Sequence, residues 1–182
     1  MLNAAEVTAF RTSLTIMTLF VRMTRIPKKK KNIVCFGSGR QVVMSRHALL
    51  LGSTEIQNIR IFNGGQSRLD RLEKDAISSL RTRYPQVNFR FVSRETTPGF
   101  DTLVQLNLNS AYVVFCCTPF IGPLFPFRDP ISSPRPRFIS NIGSYKPHRQ
   151  EINTETLLSG GKMFLDSKYA CLQESGSSSQ QM

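Results

Sequence analysis

The stretch KNIVCFGSGRQVVMSRHALLLGS, residues 31–53, places an apolar run, a glycine turn and a helical pattern in direct succession. Residues 32–37 predict a buried strand, because strands covered on both faces are almost continuously apolar. Residues 40–52 predict a helix that ends at a glycine. A Gly-Ser-Gly turn between them suits a phosphate, since N–H groups and positive potential meet at a helix amino terminus. Val42 replaces the third glycine of the dinucleotide fingerprint, so the turn alone leaves a purely structural interpretation open.

Apolar runs alternate with helical patterns along the rest of the chain. Further strands are predicted at residues 58–63, 88–92, 112–117, 137–143 and 162–166. This alternation predicts an α/β fold with a Rossmann-type, doubly wound, mostly parallel sheet and helices on both faces. A segment with six prolines, residues 119–137, predicts a long irregular loop.

Two helices have a readable apolar face. The leading helix, residues 4–25, repeats apolar residues every three or four positions, at Val7, Phe10, Leu14, Met17 and Val21. The helix predicted at residues 66–84 carries its apolar face on Leu69, Leu72, Ala76 and Leu80.

The 182 residues suffice for one main folded unit with a core. A net charge of +12 is typical of proteins that bind a polyanion. No nucleic-acid-binding signature accompanies the basic residues, so no nucleic-acid partner is expected. The apolar segment 14–23 is too short to span a bilayer and lacks signal-peptide features. We therefore expect no membrane partner and a cytoplasmic protein.

The four cysteines, Cys35, Cys116, Cys117 and Cys171, have no CxxC spacing. No metal site is expected, and buried reduced thiols are the favoured interpretation.

The end of the second strand bears on the cofactor. An acidic residue there favours NAD, whereas its absence with a nearby arginine favours NADP. Asn63 occupies this position and Arg68 follows, so the sequence favours NADP, with NAD as the alternative. The same residues also fit a simple turn with an exposed arginine.

Five segments in the same order together resemble the ornithine cyclodeaminase/mu-crystallin family. They are TAFRT (8–12), FGSGRQ (36–41), VVFCCTP with PLFP (113–119 and 123–126), FISNIGSYKPHRQEI (138–152) and FLDSKYACLQESG (164–176). The resemblance implies a Rossmann-type NAD(P)-binding domain that is normally inserted in a domain for dimerisation and substrate binding.

Family chains are longer at both ends, so the dimerisation and substrate domain is expected to be largely missing here. The resemblance divides the chain into a leading helix at 1–26, the NAD(P)-binding domain at 31–174 and a disordered tail at 175–182. The helix is interpreted as a remnant of the junction with the other domain. Apolar surface is expected around Phe10, Met17 and Phe20, which that domain would cover.

The resemblance also assigns cofactor contacts. From the pyrophosphate through the adenine ribose to the nicotinamide, they are Gly37, Ser38, Gly39, Arg40, Gln41, Asn63, Gly64, Gly65, Arg68, Thr118, Pro119 and Ile142.

The catalytic residues stay unknown. Arg11 matches a family arginine that reaches the active site, and Lys146, His148 and Glu151 are candidates for proton handling. Tyr145 stands where the cyclodeaminases have an aspartate. A phenol with a pKa near 10 is a poor substitute for a carboxylate base, so ornithine cyclisation is not favoured.

The function that the resemblance implies is an NAD(P)-dependent oxidoreductase, with NADPH-linked reduction of a cyclic imino acid favoured. The alternatives are a non-catalytic protein that binds NADPH and a small ligand, as mu-crystallin does, or an inactive truncated fragment. A small amino or imino acid is the expected ligand, and family members are homodimers.

Overall fold

A computed structural model describes residues 4–23, 31–39, 56–125, 137–143, 149–159, 162–165 and 167. The elements in chain order are α1 (Ala4–Met23), β1 (Asn32–Phe36), β2 (Asn58–Asn63), α2 (residues 66–83), β3 (Asn88–Ser93), α3 (Phe100–Ser110), β4 (Val113–Cys116), β5 (Phe138–Asn141) and α4 (Thr154–Leu158). No helix in this part of the chain is long and apolar enough to cross a bilayer.

The strands form a parallel sheet in the order β3-β2-β1-β4-β5. This order confirms the predicted Rossmann-type α/β fold. The chain reverses its direction of winding between β1 and β4, and ligands of open parallel sheets bind outside the carboxyl ends of the strands at such a point.

The five strands agree with the sequence prediction to within two residues at each end. The sixth predicted strand, residues 162–166, is wrong for the residues described. Residues 162–165 lie outside the sheet and expose Met163, Phe164 and Leu165 by about half. The predicted helix at residues 40–52 lies outside the described residues.

Apolar side chains cover both faces of the sheet because successive residues of each strand point to opposite sides. On one face Ile33, Ile59 and Val113 join a cluster with residues of α1 and α2. On the other, Val34 and Val114 pack with residues of α3. The helices therefore lie on both sides of the sheet, as expected for a doubly wound fold.

The buried face of α1 differs from the predicted one. Ala9, Ser13, Met17 and Phe20 are buried, whereas Val7, Phe10, Leu14 and Val21 are exposed. Phe20 packs against the rings of Phe115 and Phe138, with centroids 6.3 and 6.1 Å away. The expectation of exposed apolar surface is therefore confirmed for Phe10 and wrong for Met17 and Phe20, since the sheet itself covers those two.

One π-helical turn, Glu73–Ile77, interrupts α2. Such a turn inserts one residue and shifts the face that follows it. Ile77 is consequently fully buried, while the predicted Ala76 is only half-buried. Leu69, Leu72 and Leu80 are buried as predicted.

The packing of α1 on the sheet predicts a strong effect of Phe20→Ala. Removing a fully buried aromatic ring should lower the free energy of unfolding by about 3–5 kcal/mol. Phe10→Ala is the matched control in the same helix, and with Phe10 56% exposed its effect should be about 0.5 kcal/mol or less. Equal effects in urea unfolding would contradict the packing of α1 described here.

Candidate functional site

The turn after β1 requires glycine at its first position. Gly37 has φ +102°, and its N–H donates to the carbonyl oxygen of Phe62 at 2.9 Å. A Cβ at this position would lie 2.6 Å from the carbonyl oxygen of Cys117. The turn therefore packs directly on the backbone that follows β4, and no side chain separates them.

The same turn opens toward solvent at its far end. Ser38 is half-buried and Gly39 is exposed, and a Cβ on Gly39 would meet nothing within 4 Å. Arg40 and Gln41, the other two residues predicted near a pyrophosphate, lie outside the described residues. The described part of the turn leaves room for a ligand beside its backbone.

The loop after β2 lies at the same edge of the sheet. The Asn63 side-chain amide donates to the carbonyl oxygen of Gly65 at 2.9 Å, and Gly64 is exposed. Arg68 is exposed on the first turn of α2. The structure thus brings the predicted ribose residues together, and their role in binding stays a prediction.

A carboxylate that the sequence interpretation did not consider lies beside this loop. Glu95, which follows β3, accepts a hydrogen bond from the backbone N–H of Gln66 at 2.9 Å. Its position depends on a contact between residues 29 positions apart. No local pattern around residue 63 could have revealed it.

The loops after β4 and β5 are joined by Glu151, which is fully buried. One carboxylate oxygen accepts from the N–H and the hydroxyl of Thr118, at 2.5 and 2.8 Å. The other accepts from the N–H of Gly143 at 2.6 Å. Burial raises the pKa of Glu151, and the hydrogen bonds from Thr118 and Gly143 oppose that shift. Each carboxylate oxygen accepts a backbone N–H, so this geometry supports a positioning role, and proton handling by Glu151 stays a prediction.

Gly143 is the second position at this edge where only glycine fits. A Cβ there would overlap the carbonyl oxygen of Thr118 and would lie 2.6 Å from the carboxyl carbon of Glu151. The backbone after β5 therefore packs against the backbone after β4.

The predicted nicotinamide residues lie around this junction. Thr118 and Ile142 are half-buried, Pro119 is exposed, and the N–H of Ile142 donates to Cys116 at 3.0 Å. The Asn141 side-chain oxygen at the end of β5 is buried without a hydrogen-bond partner in the described part of the chain. Sequence analysis did not single out Asn141, because an unsatisfied acceptor is a property of the fold.

Apart from Glu151, the described contacts bring no predicted catalytic residue to this edge. Arg11 is exposed on α1, and no described side-chain contact joins it to the ends of the strands. Tyr145, Lys146 and His148 lie outside the described residues.

The cysteines near the edge are poor nucleophiles. Burial raises the pKa of the Cys116 and Cys117 thiols well above its usual value, and Glu151 adds to the shift. Cys35 is buried in β1, and Cys171 lies outside the described residues. This agrees with the prediction of buried thiols for Cys35 and Cys116, whereas Cys117 is half-buried.

The fold is similar to those of solved structures. Thermococcus litoralis Δ1-pyrroline-2-carboxylate reductase in complex with NADH and L-proline matches with a TM-score of 0.68 and 16% identity, over 94% of this chain and 46% of that one. An archaeal alanine dehydrogenase dimer with bound NAD matches with a TM-score of 0.65 and 16% identity, over 92% and 45% of the two chains. CmnK matches with a TM-score of 0.64 and 12% identity, over 93% and 43%.

The chain has the fold of ornithine cyclodeaminase family members. The structural match therefore agrees with the resemblance seen in the sequence segments. At these identities it establishes a shared fold, and this chain spans less than half the length of each of the three. No protein-family profile and no curated protein sequence matches the chain significantly.

The contact at Gly143 predicts that Gly143→Ala is strongly destabilising. The methyl group would meet the carbonyl oxygen of Thr118 and the carboxylate of Glu151, two residues whose positions are fixed by hydrogen bonds from Thr118 to Glu151, so roughly 2–4 kcal/mol of unfolding free energy should be lost. Gly64→Ala is the control, because its Cβ meets nothing within 4 Å, and its effect should stay under about 1 kcal/mol. Similar unfolding midpoints for both variants would refute the close approach at Gly143.

The raised pKa of Glu151 predicts a specific dependence of stability on pH. The unfolded chain releases this proton near pH 4.3, whereas the folded chain retains it to higher pH. The contribution of Glu151 to stability is therefore largest below that value and declines as pH rises through the folded pKa.

Glu151→Gln removes this titration. The unfolding free energy of the unsubstituted protein minus that of the variant should fall with increasing pH from about 4 and then level off, by at most about 1.4 kcal/mol per pH unit. Urea unfolding across this range measures it. A difference that rises with pH would show that the hydrogen bonds outweigh desolvation.

Proposed function

We propose that the carboxyl edge of the sheet binds a nicotinamide dinucleotide and that the protein is an oxidoreductase acting on a small amino or imino acid. The observation that carries this proposal is the glycine turn at residues 37–39, which follows β1 at the point where the chain reverses its direction of winding. Such a cofactor supplies or accepts the hydride, while the protein binds and orients the reactants.

Three features of the edge fit this cofactor. Glycine at position 37 leaves no side chain between the turn and the strand ends, and Gly39 is open to a ligand. Within the described part of the chain the side-chain oxygen of Asn141 has no donor, and the carboxamide of a nicotinamide is a donor of the required kind. Thr118 is held rigidly by Glu151 at the intervening position.

Different residues of the edge would contact different parts of the cofactor. Gly37, Ser38 and Gly39, continued by Arg40 and Gln41, would take the pyrophosphate. Asn63, Gly64, Gly65 and Arg68 would take the adenine ribose, and Thr118, Pro119 and Ile142 would border the nicotinamide. The sequence favours NADP over NAD for this site, and the charge around the loop after β2 determines the choice.

A cyclic imino acid is the substrate class that we favour. It is supported by the similar fold of a reductase named for such a compound and crystallised with L-proline. Arg11 and Lys146 are the proposed substrate-binding or proton-handling residues, and Tyr145 at the aspartate position argues against ornithine cyclisation. The chain spans less than half the length of the similar structures. We also propose that residues 1–26 are the leading helix, residues 31–174 the NAD(P)-binding domain and residues 175–182 a tail, and that the protein forms a homodimer.

Thermal unfolding with added nucleotide tests cofactor binding. A ligand at about 100 times its dissociation constant adds about 2.7 kcal/mol, which should raise Tm by roughly 5–10 °C for a chain of this size. No shift with either NADH or NADPH would refute the proposal. A shift without nucleotide oxidation in the presence of Δ1-pyrroline-2-carboxylate would favour the non-catalytic alternative.

A charge placed in the turn tests the position of the site. Gly39→Glu should fold normally, since a Cβ has open space there, but its carboxylate should repel the pyrophosphate and weaken binding by about tenfold or more. Ser79→Glu introduces the same charge on an exposed position of α2 and should bind like the unsubstituted protein. Equal affinities of the two variants would place the nucleotide elsewhere.

A further inference from the structure

The loop after β3 is hydrogen-bonded to the end of β2. The backbone N–H groups of Arg94 and Glu95 donate to the carbonyl oxygens of Asn63 and Gly64, at 2.9 and 3.1 Å. The Ser93 hydroxyl also donates to Gly64 at 3.3 Å. These bonds extend the β2–β3 pairing beyond the strands, so the position of Glu95 is set by backbone contacts.

The side chain of Glu95 turns back onto the first residue of α2. Its Oε2 accepts the N–H of Gln66 at 2.9 Å and lies 3.7 Å from the Cβ position of Gly65. The neighbouring Thr96 hydroxyl donates to the side-chain oxygen of Gln66 at 3.0 Å. A carboxylate therefore lies against the loop that the proposed function assigns to the adenine ribose.

The two nicotinamide dinucleotides differ at this ribose. NAD presents a 2′-hydroxyl, which can donate a hydrogen bond to a carboxylate. NADP presents a 2′-phosphate, which carries nearly two negative charges at neutral pH and which a carboxylate repels. The charge of Glu95 thus distinguishes between them.

Arg94 and Arg68 differ in how far they can neutralise the charge of Glu95. Arg94 makes two hydrogen bonds to Asp101, at 2.7 and 3.1 Å, and lies 4.4 Å from the ring centroid of Phe100, so it is engaged at the start of α3. Arg68 is exposed on α2 and is the cation that favours a phosphate. Fixing the Arg68 side chain on a ligand costs entropy, whereas the Glu95 side chain, which is also exposed, already accepts a hydrogen bond from Gln66.

We infer that Glu95 makes the proposed site select NAD(H) over NADP(H). The inference rests on the proposed function and reverses the preference that Asn63 and Arg68 alone suggest. The acidic residue that discriminates comes from the loop after β3 instead of the end of β2.

Titration of the full chain with NADH and NADPH, followed by nucleotide fluorescence or calorimetry, tests this inference. The unsubstituted protein should bind NADH at least about tenfold more tightly than NADPH. Glu95→Gln keeps an oxygen for Gln66 and removes only the charge, so it should tighten NADPH by about tenfold and change NADH by less than about threefold. Asp75→Asn, which removes an exposed charge of α2 away from the loop, should leave both affinities unchanged.

Each result has one meaning. Tighter binding of NADPH than of NADH by the unsubstituted protein, or an unchanged affinity ratio in Glu95→Gln, would overturn the role of Glu95 and leave the cofactor site standing. Equal losses for both nucleotides would show that Glu95 only caps α2, which also overturns it. Binding of neither nucleotide to the unsubstituted protein would refute the proposed function itself.

Discussion

Direct backbone contact at the carboxyl edge of the sheet is the constraint on which the candidate site depends. Gly37 brings the turn after β1 against Cys117, and Gly143 brings the end of β5 against Thr118. A side chain at either glycine would separate these segments and fill the space between them. Because the backbones meet, the edge is lined by peptide groups, and a phosphate or carboxamide is recognised by such groups.

This close approach has an energetic cost that Glu151 offsets. The strands have ended at this edge, so the N–H groups of Thr118 and Gly143 lack partners in the sheet ladder, and burying them unsatisfied would be costly. The Glu151 carboxylate accepts from both and joins the two loops. Its own desolvation opposes this, which is why its pKa is raised despite several donors. Glu151 therefore fixes the positions of the loops after β4 and β5 relative to each other.

The parts of the fold with a local cause could be predicted from sequence. β2 was predicted residue for residue, since an apolar run bounded by polar turns has few alternatives. The buried face of α1 was not predictable, because apolar residues occur on two sides of that helix and only the sheet selects Met17 and Phe20. In α2 the π turn moves the core position from Ala76 to Ile77, and spacing alone assumes a regular helix.

The same distinction between local and long-range causes applies to the candidate site. The glycine turn is visible in sequence because it lies within three residues of one strand, whereas Glu151 reaches Thr118 across 33 positions and Glu95 reaches Gln66 across 29. Asn63 and Arg68 are local in sequence, and they do not include the carboxylate of Glu95 beside the loop that we propose for the adenine ribose. A fold shared at 16% identity does not specify a nucleotide, because that choice depends on single charges in loops that the fold tolerates freely. The proposed specificity would consequently be a tertiary property, because the pairing of β2 with β3 brings Glu95 to the loop after β2.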